Sequence, residues 1–350
     1  MARENDALSP VARAAFDAII DVRSPSEFAE DHIPGAINLP VLDDRERAEI
    51  GTLYVQVSKF LARRRGAALV ARNIAAHLDG PLLDRPGGFR PLVYCWRGGQ
   101  RSGAMTAVMD QIGWPVTRLD GGYRRWRRRV LDLLHDVATP LPHRLVLLDG
   151  PTGSGKTETL TLLREHGIQS LDLEALAAHR GSLFGGTAPS QPSQKLFESR
   201  LAAALEALDP SQPVVVEAES SRIGARVVPA RLWAAMKAAP RLALEASLEQ
   251  RADYSLRAYA DHAADPARLD SLLTRLPRRH GRGAIERWRE MAARGALAEL
   301  TRDLLEVHYD PAYRGASARF GAPIAVLTAP VFAPDRSAAL TALAAAIRSA

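Results

Sequence analysis

Cysteine is almost missing from this chain of 350 residues, which contains only Cys95. A single thiol excludes an intramolecular disulfide and fits a reducing compartment. Long apolar runs are missing too. None approaches the roughly 18 residues that cross a membrane, and no basic segment followed by an apolar one opens the chain. We therefore expect a cytoplasmic protein without a membrane partner, and we take a monomer as the starting hypothesis.

Lysine is scarce as well, since only four of the 46 basic residues are lysines, and the net charge of +6 rests on arginine. Two segments are locally rich in arginine, YRRWRRRV (123–130) and LPRRHGRGAIERW (276–288). Such segments are either solvated helix faces or surfaces that bind phosphates and stack on bases. The candidate nucleic-acid contacts are Arg124, Arg125, Arg127, Arg128, Arg278, Arg279 and Arg282.

Predicted strands and helices alternate along the chain, which indicates an α/β fold with parallel sheets. A chain of this length favours two domains. The proline-containing segment DVATPLPH (136–143) indicates a linker between them. We predict a parallel-sheet domain over residues 1–135 that carries the Cys95 loop. Residues 144–350 are predicted to form a doubly wound α/β domain with a helical C-terminal part.

The segment GPTGSGKT (150–157) matches the P-loop pattern G-x-x-x-x-G-K-[ST] at every fixed position, between an apolar strand and a helix. Its glycines allow backbone N–H groups to surround a phosphate at a helix N-terminus. Lys156 is expected to reach the terminal phosphates, and Thr157 can hold a magnesium ion. The predicted phosphate- or diphosphate-binding residues are Gly150, Pro151, Thr152, Gly153, Ser154, Gly155, Lys156 and Thr157.

A P-loop enzyme usually holds its metal ion with an acidic residue at the end of another strand. The segment VVVEAES (214–220) offers Glu217 and Glu219 on one face of a strand, although ordinary strand-end charges explain them equally well. No metal-ligand spacing of cysteine and histidine occurs, so a structural zinc site is not expected. We also expect no tightly bound cofactor. The histidines near the motifs, His32, His179 and His308, are expected to be structural.

Cys95 ends the predicted strand PLVYC, at the edge where α/β folds place their active sites. The amides of the following loop, the N-terminus of the next helix and two arginines can all converge on its sulfur. They would lower the thiol pKa and produce a nucleophilic thiolate, or stabilise a persulfide or selenosulfide. The alternative for a lone cysteine is a small buried hydrophobe. The residues of this anion-binding loop are Trp96, Arg97, Gly98, Gly99, Gln100 and Arg101.

Residues 16–135 resemble a rhodanese domain. DVRSPSEFAEDHIPGAINLP is similar to the opening motif of that family, YCWRGGQRSGAM to its cysteine loop, and LDGGYRRW to its closing segment. A rhodanese domain followed by a P-loop domain resembles the tRNA 2-selenouridine synthase family. The segments HRGSLFGG, QPSQKLFES and HYDPAYR also resemble that family, and the resemblance covers essentially the whole chain.

That resemblance implies a tRNA-modifying transferase with Cys95 as its catalytic residue. The family's substrate is the wobble 2-thiouridine of the tRNAs for lysine, glutamate and glutamine. Its sulfur is first S-geranylated from geranyl diphosphate, and the geranylthio group is then replaced by selenium from selenophosphate. By the same resemblance, Cys95 would hold the selenium, the P-loop would bind the diphosphate, and an enzyme that supplies selenophosphate is a further partner.

Two other interpretations remain open on the sequence. One is an ATP-dependent P-loop kinase or NTPase fused to a sulfurtransferase that carries a persulfide. The other is a non-catalytic binding module with a rhodanese-like fold, which the intact Cys95 loop argues against.

Overall fold

The computed structural model of the protein describes residues 8–179, 190–258, 265–276 and 280–350. The chain divides into two compact units. The first comprises Met1–Asp136 and Pro192–Ala207, and the second comprises Val137–Gln191 and Leu208–Ala350. Each unit contains its own parallel sheet, so the predicted α/β class with two parallel-sheet domains is confirmed.

The first unit is built on four parallel strands in the order β2-β1-β3-β4. In this sheet Asp21 pairs with Asn38 on one side and with Tyr94 on the other, so the carboxyl ends of three strands lie side by side. Cys95 leaves the sheet at that edge. The strands are β1 (Ala18–Asp21), β2 (Ala36–Asn38), β3 (Pro91–Tyr94) and β4 (Thr117–Arg118).

Six helices accompany these strands among the described residues 8–136. The core between sheet and helices is apolar and includes Val93, Met105 and Met109, with Cys95 at its margin. The helices are α1 (Pro10–Ala14), α2 (Pro25–Glu30), α3 (Asp44–Gln56), α4 (Lys59–Leu78), α5 (Gln100–Ile112) and α6 (Gly122–His135).

The second unit is built on five parallel strands in the order β11-β10-β5-β7-β6. Its central strands are almost wholly apolar and buried, as expected for a parallel sheet with both faces covered. A short antiparallel pair, β8 and β9, lies outside the main sheet. The strands are β5 (Arg144–Asp149), β6 (Gln169–Leu171), β7 (Pro213–Glu217), β8 (Arg222–Ile223), β9 (Arg226–Val227), β10 (Arg241–Glu245) and β11 (Ala325–Thr328).

Helices follow most strands in the second half of the sequence, and a run of helices precedes β11. One turn of this run, Leu305–Tyr309, is a π-helix, and Pro330–Phe332 is a 3₁₀ turn. The α-helices are α7 (Lys156–Glu165), α8 (Leu173–Ala177), α9 (Gln194–Ala207), α10 (Ala230–Ala238), α11 (Leu248–Ala258), α12 (Pro266–Thr274), α13 (Gly281–Ala293), α14 (Leu297–Leu304), α15 (Asp310–Ser317) and α16 (Arg336–Ser349).

Helix α9 departs from the predicted division of the chain. The prediction assigned residues 144–350 to the second domain, but Pro192–Ala207 belongs to the first unit. The physical reason is polar pairing with α6: the indole N–H of Trp126 donates to the Ser199 hydroxyl over 3.0 Å, and Arg127 pairs with Glu198. Residues 136–143 contain no helix or strand.

Among the described residues, none of the helices has the length and apolar character required to span a membrane.

Candidate active site

Two glycines determine the shape of the Cys95 loop. Gly98 and Gly122 both have a positive φ, at +70° and +55°. A Cβ atom at Gly122 would lie 2.3 Å from the Cys95 carbonyl oxygen and 2.6 Å from the Gly98 nitrogen. At Gly98 it would lie 2.6 Å from the Leu119 carbonyl oxygen. The cysteine loop and the turn before α6 therefore pack backbone against backbone, and only glycine fits at these two points.

The start of α6 also supports the loop by hydrogen bonding. The Tyr123 N–H donates to the Cys95 carbonyl over 2.8 Å, and the Arg124 N–H donates to the Trp96 carbonyl over 3.2 Å. Because the carbonyls are used in this way, the loop can turn its N–H groups toward the sulfur.

Cys95 is only 3% exposed, and this burial would by itself raise the pKa of its thiol. Hydrogen bonds to the sulfur from the Ser102 hydroxyl and from the N–H groups of Ser102, Arg97 and Gly99 outweigh burial, and the pKa is lowered. The Ser102 hydroxyl lies 3.2 Å from Sγ and 3.3 Å from the Gly99 carbonyl, so its one proton has two acceptors within reach. The site favours an anion on sulfur.

The sequence predicted that the two arginine side chains of this loop help to stabilise an anion on the Cys95 sulfur. The structure does not place them at the sulfur. The Arg101 guanidinium is paired with Glu27 over 2.7 Å, and the Arg97 side chain is exposed to solvent. The contribution of Arg97 comes from its backbone N–H. Backbone amides and Ser102 therefore form the anion cradle, and Ser102 was missed in the sequence analysis. Its position as the third residue of α5, where N–H groups lack helical partners, was the available signal.

A buried polar network links the aspartate and arginine of the DVR motif to the start of α6. Arg23 donates to Asp21 over 2.6 Å and to the Asp31 carbonyl over 2.6 Å. The Tyr123 hydroxyl donates to the Asp31 carboxylate over 2.7 Å. Burial raises the pKa of Asp31 despite these partners. The network ties β1 and the turn after α2 to the first residues of α6.

The first arginine cluster is partly internal. Trp126 is fully buried and cannot stack on a base, and Arg127 is engaged with Glu198. Arg124 and Arg128 are exposed, while Arg125 is partly buried. In the second cluster Arg282 is exposed, and Arg278 and Arg279 lie outside the described residues.

In the second unit, the P-loop joins β5 to α7 as predicted. Gly153 and Gly155 have φ values of +82° and +72°. A Cβ atom at Gly153 would lie 2.6 Å from the Ser255 hydroxyl, and one at Gly155 would lie 2.4 Å from a methyl group of Val331. The Lys156 ammonium donates to the Gly150 carbonyl over 2.9 Å, and so lies folded over the loop.

The P-loop borders a cavity of about 520 Å³. Two buried hydroxyls on its wall, Ser154 Oγ and Ser255 Oγ, have no hydrogen-bond partner among the described residues. Buried polar groups without partners are uncommon in native structures, and a ligand is one way to satisfy them. Loop amides, Lys156 and these hydroxyls together fit a phosphate or diphosphate.

Three carboxylates meet on the wall of this cavity. Oxygen atoms of Glu174, Glu217 and Glu219 lie within 4.8 Å of one another. Burial, followed by mutual repulsion, raises the pKa of Glu174, and burial raises the pKa of Glu217 and of Glu219 against the nearby Lys156. One oxygen of Glu217 has no hydrogen-bond partner among the described residues. Oxygen donors of this kind suit Mg²⁺.

Comparison with known proteins decides the family. A model of the tRNA 2-selenouridine synthase AAA domain matches residues 143–327, and a model of the rhodanese-like domain matches residues 5–129. A tRNA 2-selenouridine synthase of Pseudomonas syringae pv. tomato is 36% identical over 327 residues, which cover 84% of this chain and 87% of that protein. This chain belongs to the tRNA 2-selenouridine synthase family.

Other members of the tRNA 2-selenouridine synthase family match over shorter stretches. The protein of Pseudomonas syringae pv. syringae is 38% identical over 247 residues, covering 69% of this chain. The protein of Cupriavidus pinatubonensis is 37% identical over 251 residues, again 69% of this chain. In both cases the match spans 65% of the relative's own length.

Glu174 and His308 are among the residues of this family member's P-loop cavity that were not predicted for the site. Glu174 lies in the first turn of α8, and His308 lies in the π-helical turn. His308 was expected to be structural, but it lines the cavity, and its ring nitrogen lies 2.8 Å from that of His280. A carboxylate after β6 and a polar residue in an irregular helix were the available signals. Neither signal could be used without knowing the strand order.

Proposed function

We propose that the protein is a transferase that converts wobble 2-thiouridine of tRNA to 2-selenouridine, by S-geranylation followed by selenium transfer. The observation that carries the proposal is the cradle around Cys95, in which four hydrogen-bond donors face a lone thiol. The same chain carries a P-loop cavity suited to a diphosphate. Its relatives bear the name tRNA 2-selenouridine synthase.

In the proposed first step, the 2-thiouridine sulfur attacks carbon 1 of geranyl diphosphate. A carbon–sulfur bond forms, the carbon–oxygen bond breaks, diphosphate leaves with the electron pair, and the base loses its N3 proton. Lys156 and the loop amides stabilise the leaving diphosphate by charge and by fixed dipoles. Tyr254, Tyr309 and Tyr313 line the same cavity and offer apolar surface to a prenyl chain.

Magnesium fits the donor groups of this cavity. The Thr157 hydroxyl hydrogen-bonds Glu217, whose other oxygen lacks a partner among the described residues. Glu174 and Glu219 lie beside it. These residues would hold the ion, which would supply positive charge next to the diphosphate.

In the proposed second step, selenium held as an anion at the Cys95 loop attacks carbon 2 of the base. A selenium–carbon bond forms, the carbon–sulfur bond breaks, and geranylthiol leaves. Selenophosphate supplies selenium at the oxidation level of selenide: water attacks its phosphorus, a phosphorus–oxygen bond forms, and the phosphorus–selenium bond breaks. With water, the overall change therefore yields 2-selenouridine, geranylthiol and phosphate without an oxidant. The N–H groups that lower the thiol pKa would stabilise the selenium anion in the same way.

Recognition of tRNA is proposed from exposed residues of both units. Trp96 is 39% exposed and can stack on an unpaired wobble base. Arg124, Arg128 and Arg282 are exposed and can pair with phosphates. The proposed substrates are the tRNAs for lysine, glutamate and glutamine, and the proposed selenium donor comes from a selenophosphate-forming enzyme.

The direct test is incubation with anticodon-loop RNA that contains 2-thiouridine, together with geranyl diphosphate, with and without selenophosphate. Mass spectrometry should show a geranyl adduct without selenophosphate and a selenium product with it. Lys156→Ala should lose geranylation, whereas Cys95→Ala should keep the geranyl adduct and lose the selenium product. Absence of both products with the unaltered protein would refute the proposal.

A second candidate function is an ATP-dependent kinase or NTPase joined to a persulfide-carrying sulfurtransferase. The observation in its favour is the Glu217 carboxylate next to Thr157, where P-loop enzymes place an acid for a metal-bound nucleotide. ATP turnover that disappears in Lys156→Ala, with no change in 2-thiouridine RNA, would favour this candidate.

A further inference from the structure

A second large cavity lies in the first unit, between α3, α4 and the start of α5. We call it the α3–α4 groove. Its volume is about 1070 Å³, and its wall includes Gly51, Val55, Gly66, Ala67 and Ala104. No atom lies within 4 Å of the position that a Cβ at Gly51 would take, so that wall faces open space. Small residues on three helices thus leave a slot that the protein's own side chains do not fill.

The groove exposes apolar surface. Val55 is 82% exposed and Tyr54 is 42% exposed, and both line it. Large exposed apolar patches mark binding surfaces. The chemistry of the floor suits a flexible hydrocarbon chain.

The groove is continuous with the Cys95 loop. Gln100 and Arg101, the first two residues of α5, line one end of it. The next residue, Ser102, donates to the Cys95 sulfur. A hydrocarbon chain in the groove would therefore end beside Arg101, the residue before Ser102 in α5.

The rim of the groove is positively charged. Arg47 and Arg101 both pair with Glu27, over 2.9 Å and 2.7 Å, so that one carboxylate faces two guanidinium groups. The exposed Arg63, also on the wall, has no ion pair or hydrogen bond with any described residue. An apolar floor below a cationic rim is complementary to a hydrocarbon chain attached to a nucleotide with its phosphate.

We propose that the α3–α4 groove holds the geranyl chain of the S-geranylated wobble base during selenium transfer. This inference rests on the proposed function and adds a specificity site to its second step. Binding of the chain places carbon 2 of the base at the Cys95 loop, and the groove thereby selects the alkylated base over unmodified 2-thiouridine.

The test uses a matched pair of variants on α4. Ala67 lines the groove, whereas Ala68 is exposed and lies outside its wall. Ala67→Trp should fill the slot, and Ala68→Trp adds the same indole beside it. Binding of end-labelled anticodon-loop RNA is measured by fluorescence anisotropy, and selenium transfer by mass spectrometry, for RNA carrying S-geranyl- or S-methyl-2-thiouridine.

The unaltered protein and Ala68→Trp should bind S-geranyl RNA at least about tenfold more tightly than S-methyl RNA, because the chain loses contact with water in the groove. Ala67→Trp should lose this preference and keep its affinity for S-methyl RNA. A preference retained in Ala67→Trp would overturn the groove assignment and leave the proposed function intact. Geranyl-selective binding without any selenium product would support the groove and refute the proposed function.

Discussion

Replacing Ser102 with alanine tests the source of the Cys95 anion. The hydroxyl donates to the sulfur over 3.2 Å and is fully buried. A hydrogen bond to a charged group contributes about 1.5–3 kcal/mol, so its loss should lower the thiolate population about 10- to 100-fold at pH values below the thiol pKa. A thiolate of higher pKa is intrinsically more nucleophilic, with a Brønsted coefficient of about 0.4–0.5. The higher nucleophilicity therefore offsets about half of the decrease in the logarithm of the alkylation rate.

Ser102→Ala should therefore change the alkylation rate of Cys95 in opposite directions at low and at high pH. Alkylation of Cys95 by iodoacetamide should be about 3- to 10-fold slower at about pH 6 and faster on the plateau at high pH. Intact mass reports the rate directly, because Cys95 is the only cysteine.

Thr106→Ala is the matched control. It removes a hydroxyl from the same helix, where the group bonds to the Gly103 carbonyl. An unchanged pH profile in Ser102→Ala, or an equal change in Thr106→Ala, would refute the reasoning that Ser102 stabilises the thiolate.

Three further predictions follow from the two sites. Gly122→Ala should lower the free energy of unfolding by at least about 2 kcal/mol in urea titrations, because its Cβ would strike the Cys95 loop. Gly35→Ala, at a positive φ without close neighbours, should cost only about 1 kcal/mol, and equal losses would contradict this account. Lys156→Ala should weaken geranyl diphosphate binding about 10- to 100-fold in calorimetry, and the exposed Lys237→Ala should not. Unaffected binding in Lys156→Ala would remove the P-loop from the diphosphate site. The carboxyl pKa values of Glu174 and Glu217 are raised, so the native state holds their protons more tightly than the unfolded chain does. Without Mg²⁺, the contribution of this cluster to the free energy of unfolding should therefore fall as the pH rises above about 4.3, the ordinary glutamate pKa, until the native cluster ionises. Glu217→Gln should flatten that decline, and a steeper decline in this variant would show that the assigned cause is wrong.

Features encoded by contiguous residues could be predicted from the sequence. The P-loop and the Cys95 loop each depend on glycines and a following helix within a few positions, and the structure has both as expected. The prediction that Glu217 and Glu219 share one face of a strand was wrong, because β7 ends at Glu217, although their carboxylates do meet.

Features that depend on distant partners could not be predicted. Arg127 looked like a surface cation, but its partner Glu198 is 71 residues away in sequence. Glu174 joins the carboxylates only because β6 lies beside β7 in the sheet. The arginine side chains of the Cys95 loop were expected to act on the sulfur together with the loop amides, because side-chain charge is visible in a sequence and the partner of Arg101, Glu27, is 74 residues away.

Helix α9 has a consequence for how the protein is made. During synthesis the ribosome must produce residues 137–191, which belong to the other unit, before Ser199 and Glu198 emerge. Until then the buried Trp126 indole N–H lacks its acceptor and Arg127 lacks its ion pair with Glu198. The first unit therefore cannot finish folding when its own contiguous sequence is complete. A fragment ending near residue 135 is expected to be an unfinished domain, with the buried face of α6 open to chaperones and proteases.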